Sequence, residues 1–377
     1  MKVINKIESF IFEIATWKFI AIIFFIMLIK TGIWVNPTIG KAQEISQNPF
    51  VNPFNSPDLD FLFWNWLGPY LSWIIGAKSR FAFFMFHLFF SLSFTFLYIK
   101  IIFSIFSNNI ARKSLVLFCL LPVSATAYFF IGYDSLTLFF MLLALAYPRQ
   151  LFITFFAGIA LGMQHFEQSF FAISALLFTS LLSIKFNDSV FEKKYTKIFI
   201  IILLIGIIVG KLFLIELFKY HHIDVNSGRI FWVKTHLRFL LSTFFFHFQY
   251  ILWGVLGLGN LILLKYLDSG KKTIPFFITF IGLLFLLPIS GDQTRVLAII
   301  TFPLIAIFFL LNEDFLNNIS KKEVSIIFLF WILIPWGWVW GGLPRGSVFS
   351  HDIYYILYKY FGVFHPVPFD FDWWPFY

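Results

Sequence analysis

Apolar runs of about 20 residues, the length that an α-helix needs to cross a bilayer, recur from one end of the chain to the other. Hydrophobic residues make up 60% of the 377 residues and charged residues only 12%, whereas about one quarter of a soluble domain is charged. A water-soluble fold could not bury so much apolar surface. The sequence therefore predicts an all-α fold, a polytopic transmembrane helix bundle for which the bilayer is the solvent.

The apolar runs predict about eleven membrane spans in a single transmembrane domain that covers residues 1–377. A helical membrane core extends over 17–343, with a long first outer loop at 36–80 and an outer C-terminal tail at 344–377. The third to sixth spans are short and predict tight hairpins or incomplete crossings. No small-residue cleavage site follows the first span, so we expect a retained helix. The predicted spans are 17–35, 81–106, 114–130, 134–148, 150–164, 167–184, 198–218, 239–264, 274–290, 296–311 and 324–343.

Lysine and arginine residues cluster in short loops that an eleven-span arrangement places on one side of the membrane. The positive-inside rule assigns this side to the cytoplasm. We therefore expect an integral protein of a bacterial inner membrane, with the N-terminus in the cytoplasm and the C-terminus outside. The same bias explains the formal net charge of +9, and no nucleic-acid partner is predicted. The single cysteine, Cys119, excludes an internal disulfide.

Ionisable groups of the spans lie towards the outer side in this orientation. All eight histidines fall there, and Lys30 and Lys211 each lie nearer the outer end of a span. An ionisable group at membrane depth usually faces a partner or a wet cavity. These residues predict a polar cavity that opens outward, although long lysine side chains can also reach the interface.

The first outer loop, residues 36–80, combines a proline-rich backbone with carboxylates. Its prolines exclude a regular helix, while the aromatic run 61–76 predicts a helix lying in the membrane interface. Glu44, Asp58 and Asp60 lie between that helix and the first span. A carboxylate held at the mouth of a membrane cavity can act as a general base on an acceptor hydroxyl. Asp58 and Asp60 also suit the N-cap of the interfacial helix.

Two very short outer turns carry polar side chains that must lie at the tops of packed helices. Asp134, in the turn at 130–136, either contacts a substrate or caps the next span. His165 and Glu167 lie in the turn at 163–168. Two candidate ligands with no third at helical spacing do not predict a metal site. We expect these side chains to bind substrate through hydrogen bonds or phosphate contacts.

The fourth outer loop, residues 219–238, is rich in cations on the side where the positive-inside rule predicts few. An anionic lipid or a lipid phosphate is the natural partner of such a loop. In the later turn at 290–295, Arg295 is suited to bind a phosphate bidentately or to pair with Asp292. The candidate substrate-binding residues of these two segments are His221, His222, Arg229, Asp292 and Arg295.

Several of these features occur together in one known superfamily. The features are the long acidic first outer loop, the short hairpins with Asp134 ahead of the run 138–145, the small-residue helix 157–162 leading to His165, and Thr294-Arg295-Val296 ahead of Phe302-Pro303-Leu304. Together they resemble the GT-C superfamily of membrane glycosyltransferases, which take sugars from polyprenyl-phosphate donors on the outer face. That superfamily usually places an acidic residue shortly after the first helix. Here the corresponding stretch offers only Glu44, with Asp58 and Asp60 farther along.

The resemblance implies a glycosyltransferase that moves one sugar from a polyprenyl-phosphate carrier to a glycan, lipid or protein acceptor. One of Glu44, Asp58 or Asp60 would deprotonate the acceptor hydroxyl, while Arg295, His165 and the basic fourth loop hold the departing phosphate. The expected partners are membrane lipids and the lipid-linked sugar. No cofactor is expected, and dependence on a divalent ion stays open. The alternatives are a polysaccharide polymerase or ligase acting on lipid-linked glycans, a transporter, and a non-catalytic membrane scaffold.

Overall fold

The computed structural model describes most of the chain and most of the predicted membrane core. Asp58, Lys185, Arg229, Ile230 and a few other residues are described by their backbone only. The described residues are 2–36, 38–54, 56–128, 130–185, 195–223, 225, 229–267, 274–335, 337–340, 343–345, 353, 356–358 and 360–363.

Helices dominate the described residues, and two pairs of very short strands accompany them. The helices are α1 (Lys2–Glu13), α2 (Thr16–Thr31), α3 (Ile39–Gln47), α4 (Pro57–Phe63), α5 (Leu67–Ile74), α6 (Arg80–Ile105), α7 (Asn108–Cys119), α8 (Pro122–Tyr128), α9 (Asp134–Ala146), α10 (Leu151–Lys185), α11 (Lys197–Tyr220), α12 (Arg229–Phe246), α13 (Phe248–Leu256), α14 (Asn260–Leu267), α15 (Ile274–Leu284), α16 (Gln293–Ile305), α17 (Glu313–Asn317) and α18 (Lys321–Leu333). The strands are β1 (Trp34–Val35), which pairs in parallel with β2 (Phe130–Ile131), and β3 (Trp338–Trp340), which pairs antiparallel with β4 (Leu343–Arg345).

The predicted all-α class is confirmed, but the count of about eleven spans is not. Among the described residues, five helical segments are long and apolar enough to cross a membrane, or up to seven if each of two bent pairs is one span. The pair α1 and α2 bends by 119°, and the pair α7 and α8 by 88°. The five segments are Arg80–Ile105, Leu151–Ile184, Lys197–Tyr220, Phe248–Leu267 and Gln293–Leu310.

Four of the basic segments meet at one end of the bundle, which we call the basic end. Arg112 donates hydrogen bonds to the carbonyls of Ile11 and Ile14, both at 2.6 Å. Lys113 bonds the carbonyl of Ile319 at 2.5 Å, and Lys265 pairs with Glu323 of α18 at 2.9 Å. The N-terminal helix and the segments around 112, 265 and 321 therefore lie on one side, as the loop pattern predicts.

Arg112 and Lys113 are not solvated loop cations, however. Arg112 is 2% exposed, and its guanidinium binds carbonyl groups left unpaired where α1 ends and the chain turns into α2. The predicted span 114–130 is also wrong as a straight helix, because it divides into α7 and α8. Pro122 lies at the break, where it disfavours a helical backbone in the residue before it.

Helix α10 covers two predicted spans, 150–164 and 167–184, and its backbone leaves helical geometry at His165. Gly158 faces Gly206 and Gly162 faces Gly210 at backbone contact, so the first half of α10 runs parallel to α11. A straight α10 would place residue 185 about 51 Å from residue 151. Because Gly158 lies beside Gly206, α11 begins at about the level of residue 151. The connection from residue 185 to α11 spans at most about 43 Å, so α10 cannot continue straight.

The second half of α10 instead runs back towards the basic end. Gln164 lies beside the first outer loop, whereas Thr179 hydrogen-bonds Thr279 of α15 at 2.8 Å, deep in the bundle. Residues 151–164 and 166–185 are thus two antiparallel halves of a hairpin that turns at His165. This arrangement agrees with the two separate apolar runs in the sequence.

The first outer loop folds over the end of the bundle opposite the basic end, which we call the loop end. The aromatic run 61–76 is not one interfacial helix but the end of α4 followed by α5. Phe63 and Trp66 are buried inside the protein (0% and 2% exposed) rather than at the level of lipid headgroups. Helix α4 begins at Pro57, so Asp58 and Asp60 lie inside it and do not cap a helix at Phe61.

Candidate functional site

Helix α16 is almost wholly buried and begins at the loop end with a charged turn. Asp292 is its N-cap, and its carboxylate accepts a hydrogen bond from the backbone N–H of Arg295 at 3.4 Å. This cap places Arg295 in the first helical turn. The Arg295 side chain is only 15% exposed, so the guanidinium is held inside the bundle, where it needs buried counter-charges.

Arg295 contacts two carboxylates. Its Nη1 donates to Asp134 Oδ2 at 2.7 Å, and its Nε lies 2.8 Å from Asp292 Oδ2. The second contact has the distance of an ion pair without the geometry of a hydrogen bond. The guanidinium also lies over the Phe130 ring, 5.7 Å from its centroid. We call Asp134, Asp292 and Arg295 the charge cluster.

Asp134 is the most enclosed member of the charge cluster. Its side chain is fully buried, and among the described residues its second oxygen, Oδ1, has no hydrogen-bond partner. Asp134 is the first residue of α9, and Tyr133 takes the cap position without a side-chain bond. The predicted alternative, in which Asp134 caps the helix, is therefore wrong. Its carboxylate faces Arg295 instead.

Asp292 is the titratable member of the cluster in the neutral pH range. Burial raises the pKa of the Asp292 carboxyl from 3.8 to about 6, and the Arg295 guanidinium opposes this rise. With both carboxylates ionised, the cluster carries one net negative charge. Protonation of Asp292 makes it neutral. In neither state does it present a net positive charge to an anion.

A hydrogen-bonded bridge joins the cluster to the first outer loop. Gln164 Oε1 accepts from the Gly68 N–H at 2.7 Å, and Gln164 Nε2 donates to the Tyr133 carbonyl at 3.2 Å. The Tyr133 hydroxyl lies 2.6 Å from Thr38 Oγ1. Gly68 allows this approach, because a side chain there would press on His87 and Gln164. The sequence analysis did not identify Gln164 and Gly68 as parts of the site. The one available signal was the polar amide of Gln164 in an otherwise apolar helix.

Asp134 and Arg295, both predicted to bind substrate, are in direct contact. His165 is 1% exposed and follows Gln164, which bonds the residue before Asp134. All three predicted residues therefore lie in one region at the loop end. Glu167, also predicted there, is half-buried in the first turn after the break in α10.

The three predicted general bases have different surroundings. Glu44 forms an i,i+3 ion pair with Lys41 at 2.8 Å and is 43% exposed, which is the environment of a solvated surface acid. Asp60 is 6% exposed and accepts a hydrogen bond from Asn52 at 2.9 Å. The side chain of Asp58 lies outside the described residues. Of the two described acids, only Asp60 is held in a water-poor setting.

Helix α12 joins Asp60 to the charge cluster indirectly. Phe61, next to Asp60, packs on Trp232 with ring centroids 5.7 Å apart. Trp232 in turn lies against Gly291, which precedes Asp292. The first outer loop and the turn at 290–295 thus both pack against Trp232 of α12, which forms a shared wall. Arg229 begins the same helix, but its side chain lies outside the described residues.

An apolar groove of about 600 Å³ opens beside this region. Along one side, the rings of Trp66 and Tyr70 stack with their centroids 4.1 Å apart. The His221 ring packs on Phe50 with the centroids 4.4 Å apart. The opposite side comes from the parallel helices 151–164 and α11, through Met163 and other apolar side chains. His221 lines the groove and is exposed, as is His222, the next residue along the chain. The groove therefore joins lipid-facing helix surfaces to the loop end.

The two lysines predicted to face an outer cavity rest on tryptophan rings. Lys30 donates to the Ile334 carbonyl at 2.5 Å and lies 5.8 Å from the Trp331 ring. Lys211 lies 3.3 Å from the centroid of Trp64. Cation–π contacts of this kind stabilise a charge away from water. The two lysines are held by separate tryptophans rather than in one shared site.

Among the described residues, no group of three histidine, cysteine, aspartate or glutamate side chains is arranged to hold a metal ion. Comparisons with protein-family models, curated proteins and solved structures find no match to the chain. The function must therefore be argued from the charge cluster, the groove and the membrane setting.

Proposed function

We propose that the chain is a membrane glycosyltransferase of the GT-C type, which moves a sugar from a polyprenyl-phosphate carrier to an acceptor on the outer face of a bacterial inner membrane. The observation that carries the proposal is the juxtaposition of buried carboxylates and an apolar, aromatic-lined groove at one end of a membrane bundle. A lipid-linked sugar has both chemistries in one molecule, since its tail is apolar and its reacting end is polar.

The groove suits the carrier lipid. Phe213 and Val209 of its lining are exposed on the membrane-facing side, so a tail could enter from the bilayer. His221 at the groove and the neighbouring His222 supply donors for a phosphate. We assign phosphate binding to these histidines and not to Arg295, because the charge of Arg295 is already balanced by two carboxylates.

In the proposed reaction the acceptor hydroxyl oxygen attacks the anomeric carbon of the donor. The bond from that carbon to the phosphate oxygen breaks, its electron pair leaves with the phosphate, and a carboxylate takes the hydroxyl proton. Asp60 is the preferred base of the three predicted acids, because it is buried near the shared wall while Glu44 is a surface ion pair. Arg295 orients Asp134 at the acceptor side of the site.

The experiment measures transfer from a radiolabelled polyprenyl-phosphate hexose to a short alkyl glycoside by purified protein. Asp60→Asn keeps the shape and a hydrogen-bonding group but removes the proton acceptor, so transfer should fall by about two to four orders of magnitude. Glu313→Gln, on the exposed surface of α17, is the matched control and should keep full activity. Full activity in Asp60→Asn, Asp58→Asn and Glu44→Gln together would overturn the proposed base.

A transporter is the second candidate, because a buried ion pair inside membrane helices is also the usual form of an ion or proton pathway. Proteoliposomes distinguish the two. A transporter accumulates its substrate without forming a glycosidic bond, whereas the proposed enzyme forms product in detergent with no closed compartment.

A further inference from the structure

Several buried polar atoms near the charge cluster have no hydrogen-bond partner among the described residues. They belong to Asp134 (Oδ1), Thr137 (Oγ1), Gln168 (Oε1 and Nε2) and Ser169 (Oγ). Neither ring nitrogen of His87 has a hydrogen bond of good geometry, although the ring lies beside the backbone of Gly132. Folded proteins rarely leave buried polar groups unpaired, because each costs free energy. We call these five residues the polar layer.

The residues of the polar layer lie within about 10 Å of the loop end of their helices. His87 is about 10 Å along α6 from its loop end, Thr137 is about 5 Å along α9, and Gln168 is about 5 Å beyond the break in α10. The Ser135 hydroxyl donates to the His87 carbonyl at 3.3 Å, which ties α6 to the start of α9. Gln164 lies against Gly68 together with His87. Three helices thus bring uncommitted polar atoms to the region of the charge cluster.

The chemistry of the polar layer selects its ligand. The Gln168 amide, the His87 ring and the two hydroxyls can each donate and accept hydrogen bonds. Sugar hydroxyl groups have the same double capacity. The adjacent charge cluster carries one net negative charge when Asp292 is ionised, and in that state it repels a carboxylate brought next to Asp134.

We propose that the polar layer is a subsite for an uncharged, polyhydroxylated ring and that it excludes rings bearing a carboxylate. This inference rests on the proposed function and deepens it, because it names the residues that select the acceptor sugar. Asp134 Oδ1 accepts a ring hydroxyl, and Gln168 bonds two further hydroxyl groups. The site distinguishes a hexose from the matching uronic acid by charge alone.

The test uses cysteine accessibility in a Cys119→Ser background, since Cys119 is the single native cysteine. Ser169→Cys changes one atom and should react with a small water-soluble thiol reagent in detergent. Methyl glucoside should slow this labelling, and glucuronate at the same concentration should not. At ten times the Kd, mass action leaves about one tenth of the sites free, so labelling slows about tenfold.

Ala172→Cys is the matched control, because Ala172 is as buried as Ser169 but lies one turn farther along the same helix, among apolar side chains of the core. It should remain unlabelled with or without sugar. Thr137→Cys provides the second position on a different helix. Absence of labelling at both positions would overturn the inference, since the layer would be dry. Equal protection by glucuronate and glucoside would overturn the charge selection.

Gln168→Leu separates binding from access. It should leave labelling of Ser169→Cys intact but require about tenfold more methyl glucoside for protection, because it removes hydrogen bonds to the ring. None of these readouts needs sugar transfer. Protection without transfer from any polyprenyl-phosphate hexose would retain the subsite and reject the glycosyltransferase, whereas transfer without protection would do the reverse.

Discussion

The charge cluster depends on Arg295, because its guanidinium contacts both carboxylates. Replacing it by glutamine leaves Asp134 buried and without its counter-charge. Removing one partner of a buried ion pair costs about 3–5 kcal/mol of the free energy of unfolding. Denaturant unfolding of Arg295→Gln in detergent should show a loss of this size, and adding Asp134→Asn should recover most of it.

The control for this prediction is an exposed ion pair. Lys219 lies 2.7 Å from Glu216, and both side chains are more than half exposed, at 67% and 70%. Lys219→Gln should change the free energy of unfolding by less than about 1 kcal/mol. A loss in Arg295→Gln no larger than that of Lys219→Gln would mean that the cluster is hydrated.

Asp292 gives the stability a specific dependence on pH. Its folded pKa is raised to about 6 from 3.8 by burial, so the folded state binds this proton more tightly than the unfolded state. Its contribution is therefore most favourable at low pH and is lost as pH rises from about 4 to 6. Asp292→Asn removes this contribution. The difference in unfolding free energy between wild type and variant should change across that window and stay constant above it.

At the residue scale, the sequence identified the members of the charge cluster and offered the pairing of Arg295 with Asp292, which is confirmed, but not the pairing of Arg295 with Asp134. The sequence allowed Arg295 either to bind a phosphate or to pair with Asp292. It also allowed Asp134 either to contact a substrate or to cap a helix. The deciding fact is that α9 and α16 begin at the same level, which no local pattern encodes. Gln164 and Gly68 escaped notice for the same reason, because their hydrogen bond joins residues far apart in the chain.

At the scale of elements, the close contact between the first half of α10 and α11 depends on glycines. A methyl group on Gly162 would overlap the Ile207 carbonyl oxygen and approach Gly210. Gly162→Ala should therefore lower the free energy of unfolding by about 1–3 kcal/mol, the usual cost of overpacking. Gly282 is a matched helical control with open space around it, and Gly282→Ala should stabilise by about 0.5–1 kcal/mol.

Helices bounded by capping residues were predictable, and bent ones were not. The predicted spans 81–106 and 198–218 nearly match α6 and α11, whose N-caps Ser79 and Thr196 accept hydrogen bonds from the first turn. The span 114–130 failed, because hydropathy does not register a bend. In the sequence, Pro122 and Arg112 were the available signals of this bend.

At the scale of the whole molecule, the N-terminus and the basic segments share one end, while the first outer loop lies at the other. The positive-inside rule predicts that the basic end is cytoplasmic. In a Cys119→Ser background, an impermeant thiol reagent applied to intact cells should label Val51→Cys, which is 56% exposed in the first loop. It should not label Asn109→Cys at the exposed start of α7. The opposite labelling pattern would invert the orientation.

The general architecture was predictable, because sustained hydrophobicity leaves few alternatives to a membrane bundle. The number of crossings was not, since α8 and α9 are too short for a span and two pairs of helices are sharply bent. Residues 186–194 and most of 344–377, which the topology prediction also concerns, lie outside the described residues.

The turn at His165 has a consequence for insertion into the membrane. Only one residue departs from helical geometry between the two halves of α10, so no separate loop joins them. We expect the two halves to insert together as one helical hairpin, and a helix-forming replacement at this position to disturb that insertion.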